Sequence, residues 1–126
     1  MKKISIKHLT FTHQAYLRGL DFYELELRFL QERLEEIARD NTAREVAEKI
    51  EHFQNQLIIH KDKIDELKHR LNENLARVKT ELDPTGNFIN EDTGKAAELL
   101  AEDYRNEEMI FNGLRHEFNR FAAQWM

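Results

Sequence analysis

The residues with chemistry to offer are six histidines, twenty-four carboxylates and three tyrosines, in a chain without a single cysteine. Thiolate metal sites, thiol nucleophiles and disulfides are therefore excluded, and any metal would need imidazole and carboxylate ligands. Two histidines, His13 and His60, and one glutamate, Glu107, fall at positions where the surrounding pattern calls for apolar side chains. Asn74 is a fourth such residue, and Tyr23 a fifth with a polar tip. Glu66 and His69 add a Glu-x-x-His pair, the spacing by which di-iron helical bundles aim two ligands inward. His13, His60, Glu66, His69 and Glu107 are thus the donor set of a metal-binding bundle of the ferritin-like or haemerythrin-like kind. That reading is the alternative. A di-iron site needs two such motifs and further carboxylates, and Glu66 and His69 flank Leu67 on its outer side.

The opposing expectation is that His13, Tyr23, His60, Asn74 and Glu107 are buried polar residues that satisfy one another. Groups of this kind must be hydrogen-bonded once desolvated, and they fix helix register at some cost in stability. His8, His52, His69 and His116 read as surface residues. No Gly-x-Ser-x-Gly elbow or phosphate-cradling glycine loop occurs, so an enzyme is not expected and no cofactor is implied.

The elements that would position these groups are long helices. In residues 43–82 a seam runs through Val46, Ile50, Phe53, Leu57, His60, Ile64, Leu67, Leu71, Asn74 and Val78. Its alternating steps of four and three make the 3.5-residue repeat of a left-handed supercoil. A second helix is expected over 12–39, with a seam from His13 through Tyr16, Leu20, Tyr23, Leu27, Leu30 and Leu34 to Ile37. A third is expected over 93–124, through Ala97, Leu100, Tyr104, Glu107, Phe111, Leu114, Phe118 and Phe121. Residues 1–11 read as an irregular arm, with Thr10 or Thr12 capping the helix that follows. Thr42 and Glu45 form the pattern of a capping box at the first break. The linker 83–92 carries the only proline, Pro84, together with Gly86. Its acidic and amide residues do not meet the calcium-loop pattern, because Thr85 and Phe88 stand where ligand and glycine should be.

Short breaks between long helices force antiparallel neighbours. The fold class expected is all-α: an antiparallel three-helix bundle with coiled-coil-like packing over residues 1–126, oligomerising through a further surface. Part of the central helix should overhang its shorter neighbours unless the N-terminal arm or a partner covers it. Two polar layers follow from the turn positions, His13 level with Glu107 and His60 level with Tyr23. Gly113, costly inside a helix, is expected to mark a close helix crossing.

Phe22, Leu25 and Phe29 form a second apolar set on the first helix, nearly opposite its seam. A helix apolar on two faces is normally covered on both. This stripe, with Ile58, Ile59, Met109 and Ile110, is the expected interaction surface. It points to a non-enzymatic structural or interaction protein, acting through self-association or docking of a partner helix. The net charge of −5 argues against a nucleic-acid or anionic-membrane partner. No apolar run of spanning length exists, and none follows Met1-Lys2-Lys3 as in a signal peptide, so a cytoplasmic location is expected.

Overall fold

The computed structural model describes residues 5–81 and 89–126. Three helices, α1 (Ile6–Asp40), α2 (Arg44–Thr80) and α3 (Glu91–Trp125), pack as an antiparallel three-helix bundle. Each buries the heptad seam that its sequence carries. On α1 this is His13, Leu20, Tyr23, Leu27, Leu30, Leu34 and Ile37, with Leu9 before them. On α2 it is Val46, Phe53, Leu57, His60, Ile64, Leu67, Leu71, Asn74 and Val78. On α3 the buried set includes Ala97, Leu100, Tyr104, Glu107, Phe111, Leu114, Phe118 and Phe121. None of these helices is long and apolar enough to cross a membrane.

The first helix starts six residues earlier than the expected boundary at residue 12, so the arm expected over 1–11 is helical from Ile6 onward. Tertiary burial recruits that segment into the helix. Leu9 is 2 % exposed and packs in a satellite core with Val78, Ile89 and Ala97, flanked by Ile6 and Leu75. Burying a leucine there contributes about 1.5–3 kcal/mol, enough to recruit an extra turn. Thr12 is consequently inside the helix and donates its hydroxyl back to the Leu9 carbonyl at 3.0 Å instead of capping. The added turns also remove the expected overhang. α1, α2 and α3 have 35, 37 and 35 residues, each about 52–56 Å long.

The capping box does not form. The N-cap of α2 is Ala43, whose carbonyl accepts from the Val46 and Ala47 amides at 3.1 Å. Thr42 therefore sits one residue outside the cap, and Glu45 acts only as a first-turn acid facing the helix dipole. Asn41 does the joining work at this turn. Its side-chain amide donates to the Ile37 carbonyl at 2.9 Å and to the Trp125 carbonyl at 3.3 Å, tying the end of α1 to the end of α3. α2 ends at Thr80 instead of residue 82, and α3 extends over Glu91–Trp125 instead of 93–124. Leu82, Pro84, Thr85, Gly86 and Phe88 of the linker lie outside the described residues.

Gly113 is not a crossing point: a methyl group added there would meet no atom within 4 Å. The close approach is at Gly19. A Cβ on that residue would lie 2.0 Å from the Tyr104 hydroxyl, so the phenol occupies the space that a side chain would fill. Tyr104 is held in place by stacking on Tyr16, with ring centroids 4.4 Å apart. At the opposite end of the bundle, Phe53, Phe118 and Phe121 meet at centroid distances of 5.0–6.1 Å.

Candidate interaction surface and buried polar groups

All five expected buried polar residues are inside the bundle, but they pair differently from the expected layers. His60 meets Glu107, not Tyr23: its Nδ1–H donates to the Glu107 carboxylate at 2.5 Å, and the two side chains are 3 % and 4 % exposed. The imidazole also sits edge-on to Phe111, with centroids 5.8 Å apart. Counting residues from the expected turns sets both Glu107 and His13 level with residues 68–70 of α2. The earlier end of α2 at Thr80 and the earlier start of α3 at Glu91 move the levels in this direction but cover only part of the difference. Tyr23 instead donates its hydroxyl to Glu108 of α3 at 3.1 Å. Burial raises the Tyr23 phenol pKa, and the neighbouring Glu108 carboxylate raises it further. Tyr104, whose ring lies 6.5 Å from that of Tyr23, is raised chiefly by burial as well.

His13 meets Asn74, not Glu107. The contact is 2.9 Å, from His13 Nε2 to the Asn74 amide oxygen. An amide oxygen only accepts, so the proton is on Nε2, and Nδ1 is left as a buried lone pair without a partner in the described structure. The Asn74 amide nitrogen then donates to the Thr93 carbonyl at 3.3 Å, and the Thr93 hydroxyl donates to the Glu81 carboxylate. One chain of polar contacts therefore runs through α1, α2 and α3 at the linker end. Desolvation lowers the His13 pKa below its ordinary value, partly offset by the Asn74 bond. Glu81 was not singled out by sequence, and Thr93 was expected only as an N-cap of the third helix, with Asp92 as the other candidate; the N-cap is Asn90, and Thr93 is buried inside the helix.

The five donors of the metal reading are not gathered in one place. His60 and Glu107 are paired with each other, and His13 is engaged by Asn74. Glu66 is exposed and lies 3.3 Å from Arg70, while His69 is exposed and paired with Glu73 one turn on. Among the described residues, no group of three or more His, Asp or Glu stands close enough to hold a metal ion.

The seven residues of the expected interaction surface are all exposed. Phe22 is 49 % exposed, Leu25 44 % and Phe29 56 %, against a fully buried Leu20 and Leu34 on the opposite face. The other four lie on α2 and α3. Ile59 lies one heptad from His52, and Ile110 one heptad from Glu117. His52 and Glu117 face each other across the α2–α3 groove at 3.1 Å, so Ile59 and Ile110 flank that groove and are separate from the α1 stripe. Ile58 lines a different groove, between α1 and α2, with Arg28 and Lys61. Met109 is exposed on α3. Phe11, 66 % exposed, was missed by the sequence reading because it fell within the segment taken as an arm.

Ion pairs surround the apolar positions without covering them. Lys68 forks between Asp21 at 2.7 Å and Glu24 at 3.0 Å, and these carboxylates, Asp21 first, hold its ammonium pKa above the usual value. Arg115 of α3 reaches Glu26 at 3.8 Å. Comparisons with protein-family models, with curated proteins and with solved structures found no match.

Proposed function

We propose that this is a non-enzymatic structural or interaction protein whose working surface is the Phe22–Leu25–Phe29 stripe on the solvent side of α1. The observation that carries the reading is the exposure of two phenylalanines and a leucine in successive turns of one helix whose other face is already buried in the core. Single exposed apolar side chains are ordinary, but a continuous large apolar stripe on a soluble domain marks a surface that another molecule covers. None of these three residues belongs to the buried core cluster, although Phe22 lies edge-on to Tyr23 at its margin. Their large apolar side chains, exposed on the outer face of α1, are accounted for by an interface.

The buried polar groups support the same reading in a negative way. His60, Glu107, His13 and Asn74 are consumed by one another inside the bundle and serve its register. A metal-binding bundle would require Glu66 and His69 to leave the surface and join residues already engaged elsewhere.

The test compares the native protein with Phe22→Glu plus Phe29→Glu, both as purified protein and in a native extract, by sedimentation or native-gel mass. The expected result is an assembly above monomer mass in at least one setting, lost in the double variant, whose monomer keeps its helical content and cooperative unfolding. A strict monomer in both settings, unaffected by the double substitution, removes the reading.

A further inference from the structure

The stripe does not stop at three residues. Extended in both directions it becomes a full second seam on α1: Phe11, Ala15, Arg18, Phe22, Leu25, Phe29, Glu32 and Glu36, again in alternating steps of four and three. All but the half-buried Ala15 are exposed. The seam is symmetric in a telling way. Arg18 and Glu32 lie one heptad to either side of Leu25, one basic and one acidic. Phe22 and Phe29 lie inside them, three residues before Leu25 and four after.

Resting on the reading above, we infer that the partner of this stripe is a second copy of the chain, docked with its α1 antiparallel to the first and with Leu25 on the two-fold axis. In that arrangement Leu25 meets Leu25 of the other copy, each Phe22 meets a Phe29, and each Arg18 meets a Glu32. A two-fold axis doubles every such contact, so one charge pattern supplies two interprotomer ion pairs at the ends of an apolar centre. Among the described residues neither Arg18 nor Glu32 takes an ion pair within its own chain, which leaves both charges open for this role. The flank facing α2 repeats the logic. Asp21, four residues before Leu25, comes opposite Arg28, three residues after it, although here each charge already has a partner in its own chain, Lys68 at 2.7 Å and Glu24 at 3.7 Å. On the other flank Glu26 would face its own copy, and there Arg115 at 3.8 Å already provides the opposing charge.

The parallel alternative is disfavoured by the same residues. It would set Arg18 against Arg18 and Glu32 against Glu32, and like charges at an interface oppose the wrong register. A docked helix from an unrelated protein has no reason to reproduce a charge pattern that is complementary to itself.

The experiment uses the full chain. Sedimentation equilibrium is measured on the native protein, on Arg18→Glu, on Glu32→Arg, and on the double swap Arg18→Glu plus Glu32→Arg. The native protein is expected to dimerise. Each single swap should weaken the dimer about tenfold or more, and the double swap should restore it. Orientation is read separately, since the chain has no cysteine. Phe22→Cys and Phe29→Cys, treated with a short bis-maleimide, should cross-link when mixed and not when alone. Self-cross-linking of each variant alone overturns the antiparallel arrangement. A dimer destroyed by Phe22→Glu plus Phe29→Glu but insensitive to the charge swaps also overturns it, while leaving the stripe as an interface. A purified native protein that remains monomeric up to about 100 μM overturns the self-association itself. An assembly seen only in native extract then shows that the broader reading survives with a different partner.

Discussion

His60 of α2 and Glu107 of α3 share a 2.5 Å hydrogen bond in the middle of the bundle, with both side chains almost wholly removed from solvent. Such a pair is a liability as much as a bond, because desolvating its charged or polar groups offsets much of what the contact returns. The consequence is asymmetric. Glu107→Leu alone leaves an imidazole facing an apolar wall and is expected to cost about 3–5 kcal/mol. His60→Leu combined with Glu107→Leu should be near neutral or stabilising. Urea unfolding of the two single variants and the double variant measures this directly, and an additive double variant would show that the two residues are not coupled.

The glycines give opposite expectations from the same substitution. Gly113→Ala should stabilise the protein by about 0.5–1 kcal/mol, since the added methyl meets nothing and helix propensity improves. Gly19→Ala should destabilise by about 1–3 kcal/mol, because the methyl collides with a phenol wedged against Tyr16. Introducing Tyr104→Phe into Gly19→Ala should recover part of that loss by removing the atom that collides first. Thermal unfolding of the three variants is sufficient to read the signs.

The contrast between these two glycines also shows where sequence reasoning works on this chain and where it stops. The heptad seams are local patterns, so the helices, their buried faces and the intrusion of His13, His60, Asn74 and Glu107 were legible. What a residue faces on another helix is not local. Nothing around Gly19 distinguishes it from Gly113 until Tyr104 is seen opposite. The polar partners were misassigned for a related reason: the register of α1 and α3 on α2 is set by packing across helices, and counting residues from the turns does not give it. The start of α1 was misread because Leu9 is held by Val78, Ile89 and Ala97, all distant in sequence.

Leu9→Ala tests that last point. Its side chain is 2 % exposed, and truncation should cost about 2–5 kcal/mol, the range for a leucine removed from a packed interior. Loss of helical signal corresponding to the first turns of α1 should accompany it. A change within about 0.5 kcal/mol, as for a surface site, would show that the satellite core is not formed in solution.

His13 predicts a pH dependence. Burial lowers its pKa in the folded state, so between that value and the unfolded value of 6.5 the unfolded chain binds more protons. The resulting stability is present above pH 6.5 and is lost as the pH falls below it, until the lower folded pKa is passed. The stability difference between the native protein and His13→Gln, followed by urea midpoints from pH 8 downward, should therefore shrink or change sign with acidification. A difference independent of pH would exclude His13 as the group responsible.

The contacts from His13 to Asn74, Thr93 and Glu81 touch every helix at the linker end of the bundle. Each group in the chain relies on a neighbour that belongs to another helix. Local fraying of the end of α2 would strand the imidazole of α1 and the carbonyl of α3 together. Opening at this end is therefore collective. Amide protons in the last turns of α2 should exchange with the slow, shared kinetics of a cooperative unit, unlike those of a free helix terminus.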